Sequence, residues 1–189
     1  MKTRELYNII DAFCPKTLSC SWDNDGIMVS PSLDAEVKRV LLSLDATYEA
    51  VSYAADNGYD TLITHHPMLF RGAKSVSETT LSGRRIIRAL SSGVTVMSFH
   101  TRLDACEGGV NDELMNRLGF VTTGAFGDEE SPMLARFADI PPMTARELAC
   151  LVRDKLGCTA VRLNGKADAV VRKIGVCGGD GKDFIYPAM

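Results

Sequence analysis

The segment DTLITHHPMLF (residues 60–70) joins an apolar strand pattern to two adjacent histidines and a proline. Similar apolar runs lie on either side of it in the sequence, and segments with helical periodicity separate them. Strand patterns occur at residues 37–45 and 94–99, and helical patterns at residues 47–58, 77–92 and 108–119. This alternation predicts an α/β fold with a mostly parallel sheet covered by helices. Because residues 37–45 are almost continuously apolar, we expect that strand to be buried on both faces.

The pattern changes after Phe126, and we predict two similar lobes, residues 1–126 and 127–189. The second begins with the acidic linker GDEESP and continues with a strand, a helix and two further strands. Residues 133–140, 159–164 and 170–179 are the predicted strands, and residues 144–157 the predicted helix. A strand followed by a glycine-rich turn normally feeds a helix and another strand. We therefore expect the second lobe to be incomplete and the chain to be part of a longer protein.

The composition limits the classes of partner. Of the 189 residues 46% are hydrophobic, and the formal net charge is -3 with scattered lysines and arginines, which argues against a nucleic-acid partner. No apolar run approaches the roughly 20 residues of a membrane span, and the first residues lack the pattern of a signal peptide. We expect a cytoplasmic protein. The six cysteines include no CxxC pair and are interpreted as plain thiols.

Polar side chains end three of the predicted strands. Asp45 ends the first strand, the pair His65 and His66 ends the second, and His100 with Asp104 follows the third. These are all three histidines of the chain. Because the carboxyl ends of parallel strands meet at one edge of a sheet, the five side chains are expected to converge there. Imidazole and carboxylate ligands suit zinc, manganese or iron(II), so the pattern indicates a metal site.

Adjacent histidines inside a regular strand would point to opposite faces of the sheet. Pro67 predicts a different arrangement, because proline cannot continue the strand ladder. The pair is therefore expected just past the strand end, with both rings turned towards one ion or towards two neighbouring ions. The alternative is structural: the histidines are hydrogen-bonded residues, and Asp45 and Asp104 only cap the helices that follow them.

Two further features have two interpretations each. In SCSWDNDGIMVS (residues 19–30), Trp22 and its polar neighbours either line the mouth of a pocket or form a locked turn with Trp22 packed on the sheet. Arg102 either steers an anionic substrate or faces solvent.

Six segments together resemble the Nif-three-like family, whose members are also described as GTP cyclohydrolase I type 2 homologues. The resemblance extends from about Leu6 to Phe184. The matching segments are WDNDGIMV (22–29), LLSLDAT (41–47), LITHHPMLF (62–70), SFHTRLDACEGGVND (98–112), LARFADIP (134–141) and IGVCGGDGKDF (174–184).

The resemblance implies a site for two divalent metal ions, zinc, iron or manganese. It implies that His65, His66 and Asp104 are metal ligands and that His100, which opens the HTxLD motif, is a catalytic or supporting residue beside the metals. The family pattern also contains a distal His-x-x-x-Glu pair, but no histidine follows His100 in this chain. That difference agrees with the expectation of a longer protein.

The function that the resemblance implies is that of a metal-dependent hydrolase-like protein related to GTP cyclohydrolases. Its expected substrate is a small molecule of the nucleotide type, and its expected assembly is a hexamer of identical subunits. The alternative is a non-catalytic metal-binding protein that regulates or binds protein partners.

Overall fold

The computed structural model describes residues 1–189, which divide into two compact units, Met1–Leu103 and Asp104–Met189. The division lies earlier in the chain than the boundary that the change of pattern predicts at residue 126. The elements of the first unit are α1 (Thr3–Phe13), a 3-10 turn (Lys16–Leu18), β1 (Gly26–Val29), β2 (Val40–Ser43), α2 (Tyr48–Asp56), β3 (Thr61–Thr64), α3 (Leu81–Ser91) and β4 (Thr95–Ser98). The short helix α4 (Thr101–Ala105) begins in this unit.

The sheet of the first unit has the strand order β1-β4-β3-β2. Strands β2, β3 and β4 are parallel, as the alternation of strands and helices predicts, and β1 is antiparallel to β4. Apolar side chains of β3, β4, α2 and α3 form the core, with Val51, Leu62, Ala89 and Val96 fully buried. The predicted α/β fold with a mostly parallel sheet is confirmed.

Strand β2 differs from its prediction. It is shorter than the apolar run at residues 37–45 and lies at the edge of the sheet. Leu42 is 73% exposed, so the expectation of burial on both faces is wrong. An edge strand has a neighbour on one side only, and a continuous apolar run does not reveal the position of a strand in its sheet.

The second unit is built on an antiparallel sheet. Its elements are α5 (Val110–Leu118), β5 (Gly124–Phe126), β6 (Ala135–Thr144), α6 (Ala145–Leu156), β7 (Val170–Val176) and a 3-10 turn (Gly181–Phe184). The strand order is β5-β6-β7, and both pairs are antiparallel. The expected similarity of the two lobes therefore does not extend to strand direction, and residues 159–164 are not a strand.

None of the helices in either unit combines the length and apolar character needed to cross a bilayer.

Replacing Leu62 by alanine tests the core of the first unit. Leu62 is fully buried in β3, and we expect Leu62→Ala to lower the free energy of unfolding by about 2–5 kcal/mol, because the truncation leaves a cavity. Urea unfolding followed by the fluorescence of Trp22, the only tryptophan, measures the change. The matched control is Leu42→Ala on the exposed edge strand, expected to change stability by no more than about 0.5 kcal/mol. Equal effects of the two substitutions would contradict this description of the core.

Candidate metal centre

The three parallel strands end level with one another. Ser43, Thr64 and Ser98 are partners in the sheet register and are the last residues of β2, β3 and β4. The side-chain oxygens of Thr64 and Ser98 lie 2.9 Å apart and join two of these ends. The residues that follow each strand therefore emerge at one edge of the sheet. Asp45, the pair His65 and His66, and His100 all follow these ends.

The antiparallel strand β1 brings a fourth segment to the same edge. Gly26, its first residue, pairs with Ser98, the last residue of β4. The loop of residues 22–25 therefore enters the sheet where β4 leaves it. Gly26 has φ of +114°, and a Cβ there would lie 3.4 Å from the Arg102 guanidinium, so the position favours glycine.

The three histidine side chains form one cluster. The ring centroids are 5.0 Å apart for His65 and His66, 5.2 Å for His65 and His100, and 5.6 Å for His66 and His100. One potential ligand nitrogen from each ring lies within 4.8 Å of the others. Strand β3 ends at Thr64, so the prediction that the histidine pair lies just past the strand end is confirmed. The two rings lie close together, and their orientation towards metal ions stays a prediction.

Each imidazole is hydrogen-bonded through Nδ1 to an oxygen atom. The partners are the Phe99 carbonyl oxygen for His65 (3.1 Å), the Asp45 carboxylate for His66 (2.8 Å) and the Asp23 carboxylate for His100 (3.0 Å). Carbonyl and carboxylate oxygens only accept hydrogen bonds, so in the neutral rings Nδ1 carries the proton. The lone pair of each ring is then on Nε2, the tautomer of a histidine that binds a metal through Nε2.

The surroundings of His65 favour its neutral form. Burial lowers the pKa of His65 below its ordinary value, and the nearby His100 and His66 lower it further through charge repulsion. The hydrogen bond to Phe99 opposes this shift without reversing it. A neutral imidazole keeps the lone pair that a metal ion requires.

Asp23 fixes the position of His100. Its carboxylate side chain is fully buried and also accepts hydrogen bonds from the backbone N–H and hydroxyl of Thr101, at 3.1 and 2.6 Å. Burial alone would raise the pKa of Asp23, but the hydrogen bonds from His100 and Thr101 outweigh it and lower the pKa to about 2. Asp23 is therefore a carboxylate at neutral pH. Its counterpart for His66 is Asp45, which is exposed.

Asp25 and Arg102 form a buried ion pair that contacts the backbone of His100. The Asp25 carboxylate accepts hydrogen bonds from Arg102 Nε at 3.1 Å and from the His100 backbone N–H at 3.3 Å. Arg102 also donates to Asp11, and its guanidinium lies 4.7 Å from the centroid of the Phe99 ring. Arg102 is fully buried, so both interpretations of this residue, steering an anion and facing solvent, are wrong.

The fourth predicted site residue, Asp104, lies on α4 four residues after His100 and is half-buried. It belongs to the second compact unit. The structure thus brings together the three histidines, and the assignment of Asp104 as a ligand stays a prediction.

The residues of the first unit fit a divalent metal ion. Three neutral imidazoles suit zinc, iron(II) or manganese(II). Nitrogens bound to one zinc ion at about 2.1 Å lie roughly 3.4 Å apart in tetrahedral geometry. A spacing within 4.8 Å is compatible with one ion or with a neighbouring pair. Metal-binding histidines usually donate their second N–H to a carboxylate or carbonyl, as all three do here.

The family model described as Duf34/NIF3 (NGG1p interacting factor 3) matches residues 1–189. The chain belongs to this family. Among relatives in the family, a GTP cyclohydrolase 1 type 2 homolog of Clostridium perfringens is 34% identical over 194 residues, which cover 100% of this chain and 73% of the relative. A Streptomyces coelicolor relative with the same name is 34% identical over 185 residues, covering 94% of this chain and 65% of its own.

Solved structures of other proteins share the fold of this chain. The Staphylococcus aureus hypothetical protein SA1388 superimposes with a TM-score of 0.88 at 25% identity, over 98% of this chain and 74% of that one. Reduced HcgD from Methanocaldococcus jannaschii gives a TM-score of 0.71 at 27% identity, over 82% of this chain and 60% of that one. The predicted family and fold are therefore confirmed.

Sequence reasoning missed the roles of three acidic residues. The sequence predicts Asp23 and Asp25 as residues of a locked turn or of a pocket mouth, and Asp45 as a ligand or a helix cap. In the structure, Asp23 and Asp45 hold imidazole rings, and Asp25 holds the backbone of His100. The closely spaced acidic residues of WDNDG were a signal, but their partners His100, Thr101 and Arg102 follow β4 and are distant in sequence.

The ring tautomers can be tested directly, because the chain has three histidines. We expect ¹⁵N–¹H correlation spectra of the metal-free protein with neutral imidazoles to show the Nδ1–H tautomer for all three, although a free side chain in water favours Nε2–H. Asp45→Ala removes the acceptor of His66 and should shift that ring towards Nε2–H. His65, bonded to a backbone carbonyl, is the internal control. An unchanged His66 signal would refute the assigned role of Asp45.

Proposed function

We propose that this chain is a metal-binding member of the Duf34/NIF3 family and forms part of a dinuclear, hydrolase-like centre. The observation that supports the proposal most strongly is the set of three imidazoles, each anchored through Nδ1 and each with its lone pair on Nε2. A cluster of purely structural histidines has no need for the same nitrogen of every ring to be bonded to an acceptor.

In this proposal His65 and His66 are metal ligands. They lie next to each other past the end of β3, so their rings can hold one ion together or two neighbouring ions separately. Asp104 is proposed as a further ligand because it occupies the aspartate position of the HTxLD motif. Asp45 supports His66 by accepting a hydrogen bond from its Nδ1–H, which orients the ring and makes Nε2 more basic.

His100 is proposed to transfer protons. Its Nδ1 is bonded to the buried Asp23 carboxylate, and this charge would stabilise the imidazolium formed when Nε2 accepts a proton. The buried carboxylate also prevents the ring from rotating. His100 is 18% exposed in its side chain, which leaves a path for a substrate or water to reach it. Because its nitrogen belongs to the same cluster, a variant at this position must be assessed for metal content as well as turnover.

Divalent ions, when bound, supply Lewis acidity that activates water and polarises the group under attack. The protein supplies the ligands, their orientation and a proton-transfer group. The name of the relatives, GTP cyclohydrolase 1 type 2 homolog, supports a nucleotide as the first substrate to test. The chain spans 73% of the length of the Clostridium perfringens relative. Turnover must therefore be measured on this chain and not inferred from the name of the relative.

Metal analysis of purified variants tests the ligands. We expect the wild-type chain to retain zinc, iron or manganese after dialysis, and His65→Ala and His66→Ala to lose most of it, because each removes a ligand nitrogen. Asp104→Asn is expected to reduce the metal content, and Asp45→Asn to weaken metal affinity about 10- to 100-fold. Elemental analysis gives the stoichiometry. Asp34→Asn, at an exposed aspartate, is the matched control.

Two outcomes would refute parts of this assignment. Unchanged metal content in His65→Ala and His66→Ala would eliminate the centre, and unchanged content in Asp104→Asn would remove that residue from it.

His100→Ala is expected to retain metal and to lose turnover of GTP, measured with and without a chelator. Full metal content without turnover of any nucleotide or phosphoester would favour the alternative, a non-catalytic regulatory or protein-binding function.

A further inference from the structure

Two large aromatic side chains next to the histidine cluster are exposed to solvent. Trp22 is 53% exposed and Phe70 is 48% exposed. Their ring centroids are 6.0 Å apart, and the centroid of His100 lies 6.2 Å from that of Trp22 and 6.5 Å from that of Phe70. The interpretation that Trp22 is packed on the sheet is wrong, because more than half of the residue is exposed. The interpretation that Trp22 lines the mouth of a pocket stays a prediction.

The loops that carry the two rings are held in place. The Asn24 side-chain amide donates a hydrogen bond to the Leu69 carbonyl, which joins the loop after Trp22 to the loop before Phe70. Asp23, the residue after Trp22, is bonded to His100 and Thr101. A ligand that contacts these rings would therefore order little additional chain, which favours binding.

We propose that Trp22 and Phe70 form a stacking subsite that holds a planar heteroaromatic ring of the substrate beside the histidine cluster. The inference rests on the proposed function, because the ring would be placed next to the proposed metal ligands and His100. Apolar aromatic faces beside a few convergent polar groups are the usual composition of a small-molecule site. Stacking covers the exposed indole and phenyl faces, and the polar edge of the heterocycle remains available to the imidazoles.

The edge-to-face contacts among the rings favour a planar ligand over a small cation. An aromatic cage for an ammonium group has several ring faces directed at one central point. Here the three rings contact one another edge to face, at interplanar angles of 61°, 72° and 83°. About half of the Trp22 and Phe70 residues is exposed, and a flat ring can cover such aromatic surface by stacking.

The fluorescence of Trp22 reports directly on this subsite, because the chain has no other tryptophan. The full chain, loaded with zinc, is titrated with GMP and, separately, with ribose 5-phosphate, which has the same sugar and phosphate but no planar base. We expect GMP to quench Trp22 and saturate, and ribose 5-phosphate to leave the emission unchanged, because only the base can stack on the indole.

Phe70→Leu is expected to weaken GMP binding on the order of tenfold, since it removes one aromatic surface but keeps an apolar side chain. The matched control is Phe13→Leu, the same change at a residue of α1 that is 54% exposed. Trp22→Leu is expected to weaken GMP binding by a similar or larger factor. Because this variant has no tryptophan, its affinity for GMP is measured by equilibrium dialysis. Both variants at the subsite should keep the metal content of the wild type.

Three results would contradict the proposed stacking subsite. The subsite would be contradicted if ribose 5-phosphate and GMP bound equally well, or if Phe70→Leu and Phe13→Leu had equal effects on GMP binding. It would also be contradicted if GMP bound in equilibrium dialysis without changing the emission of Trp22. Metal stoichiometry, measured on the same samples, separates this failure from failure of the proposed function. Full metal content without GMP binding overturns the subsite alone, whereas absence of metal overturns the metal centre.

Discussion

The arrangement of the site depends on a buried ion pair. Arg102 carries its charge in the interior of the first unit, where an unpaired charge would be strongly destabilising. Its partner Asp25 lies at the entry to β1 and also accepts a hydrogen bond from the backbone of His100 at the exit of β4. One carboxylate thus joins two segments that are far apart in sequence. The position of His100, and of the loop that carries Trp22 and Asp23, follows from this contact.

Oxygen acceptors also fix the three imidazole rings of the histidine cluster, as the Asp25 carboxylate fixes Arg102. Three different acceptors are used: a backbone carbonyl, an exposed carboxylate and a fully buried carboxylate. They give the rings one tautomer but different surroundings. His66 is the most exposed, whereas His65 is half-buried, with a pKa lowered chiefly by its burial. A set of imidazoles with a common tautomer and graded exposure can bind a metal with one ring and transfer a proton with another.

Much of the first unit was predictable because its signals are local. The alternation of strands and helices gave the parallel order of β2, β3 and β4, and Pro67 placed His65 and His66 beyond the strand end. Less was predictable for the second unit, whose strands pair antiparallel although a helix separates β6 from β7. A strand pattern contains no information on direction. The same limit explains why the position of β2 at the sheet edge was missed.

The sequence by itself determined the types of chemical group at the site and their order along the chain: imidazoles and carboxylates after apolar strands, in segments that match one family. These properties depend on residue identity and local periodicity. Only the tertiary structure decided which acidic residue holds which ring. Asp23 reaches His100 because β1 runs antiparallel to β4 and begins where β4 ends. Long-range pairing of this kind sets the tautomer of His100, since the acceptor of its ring is not among its neighbours in the sequence.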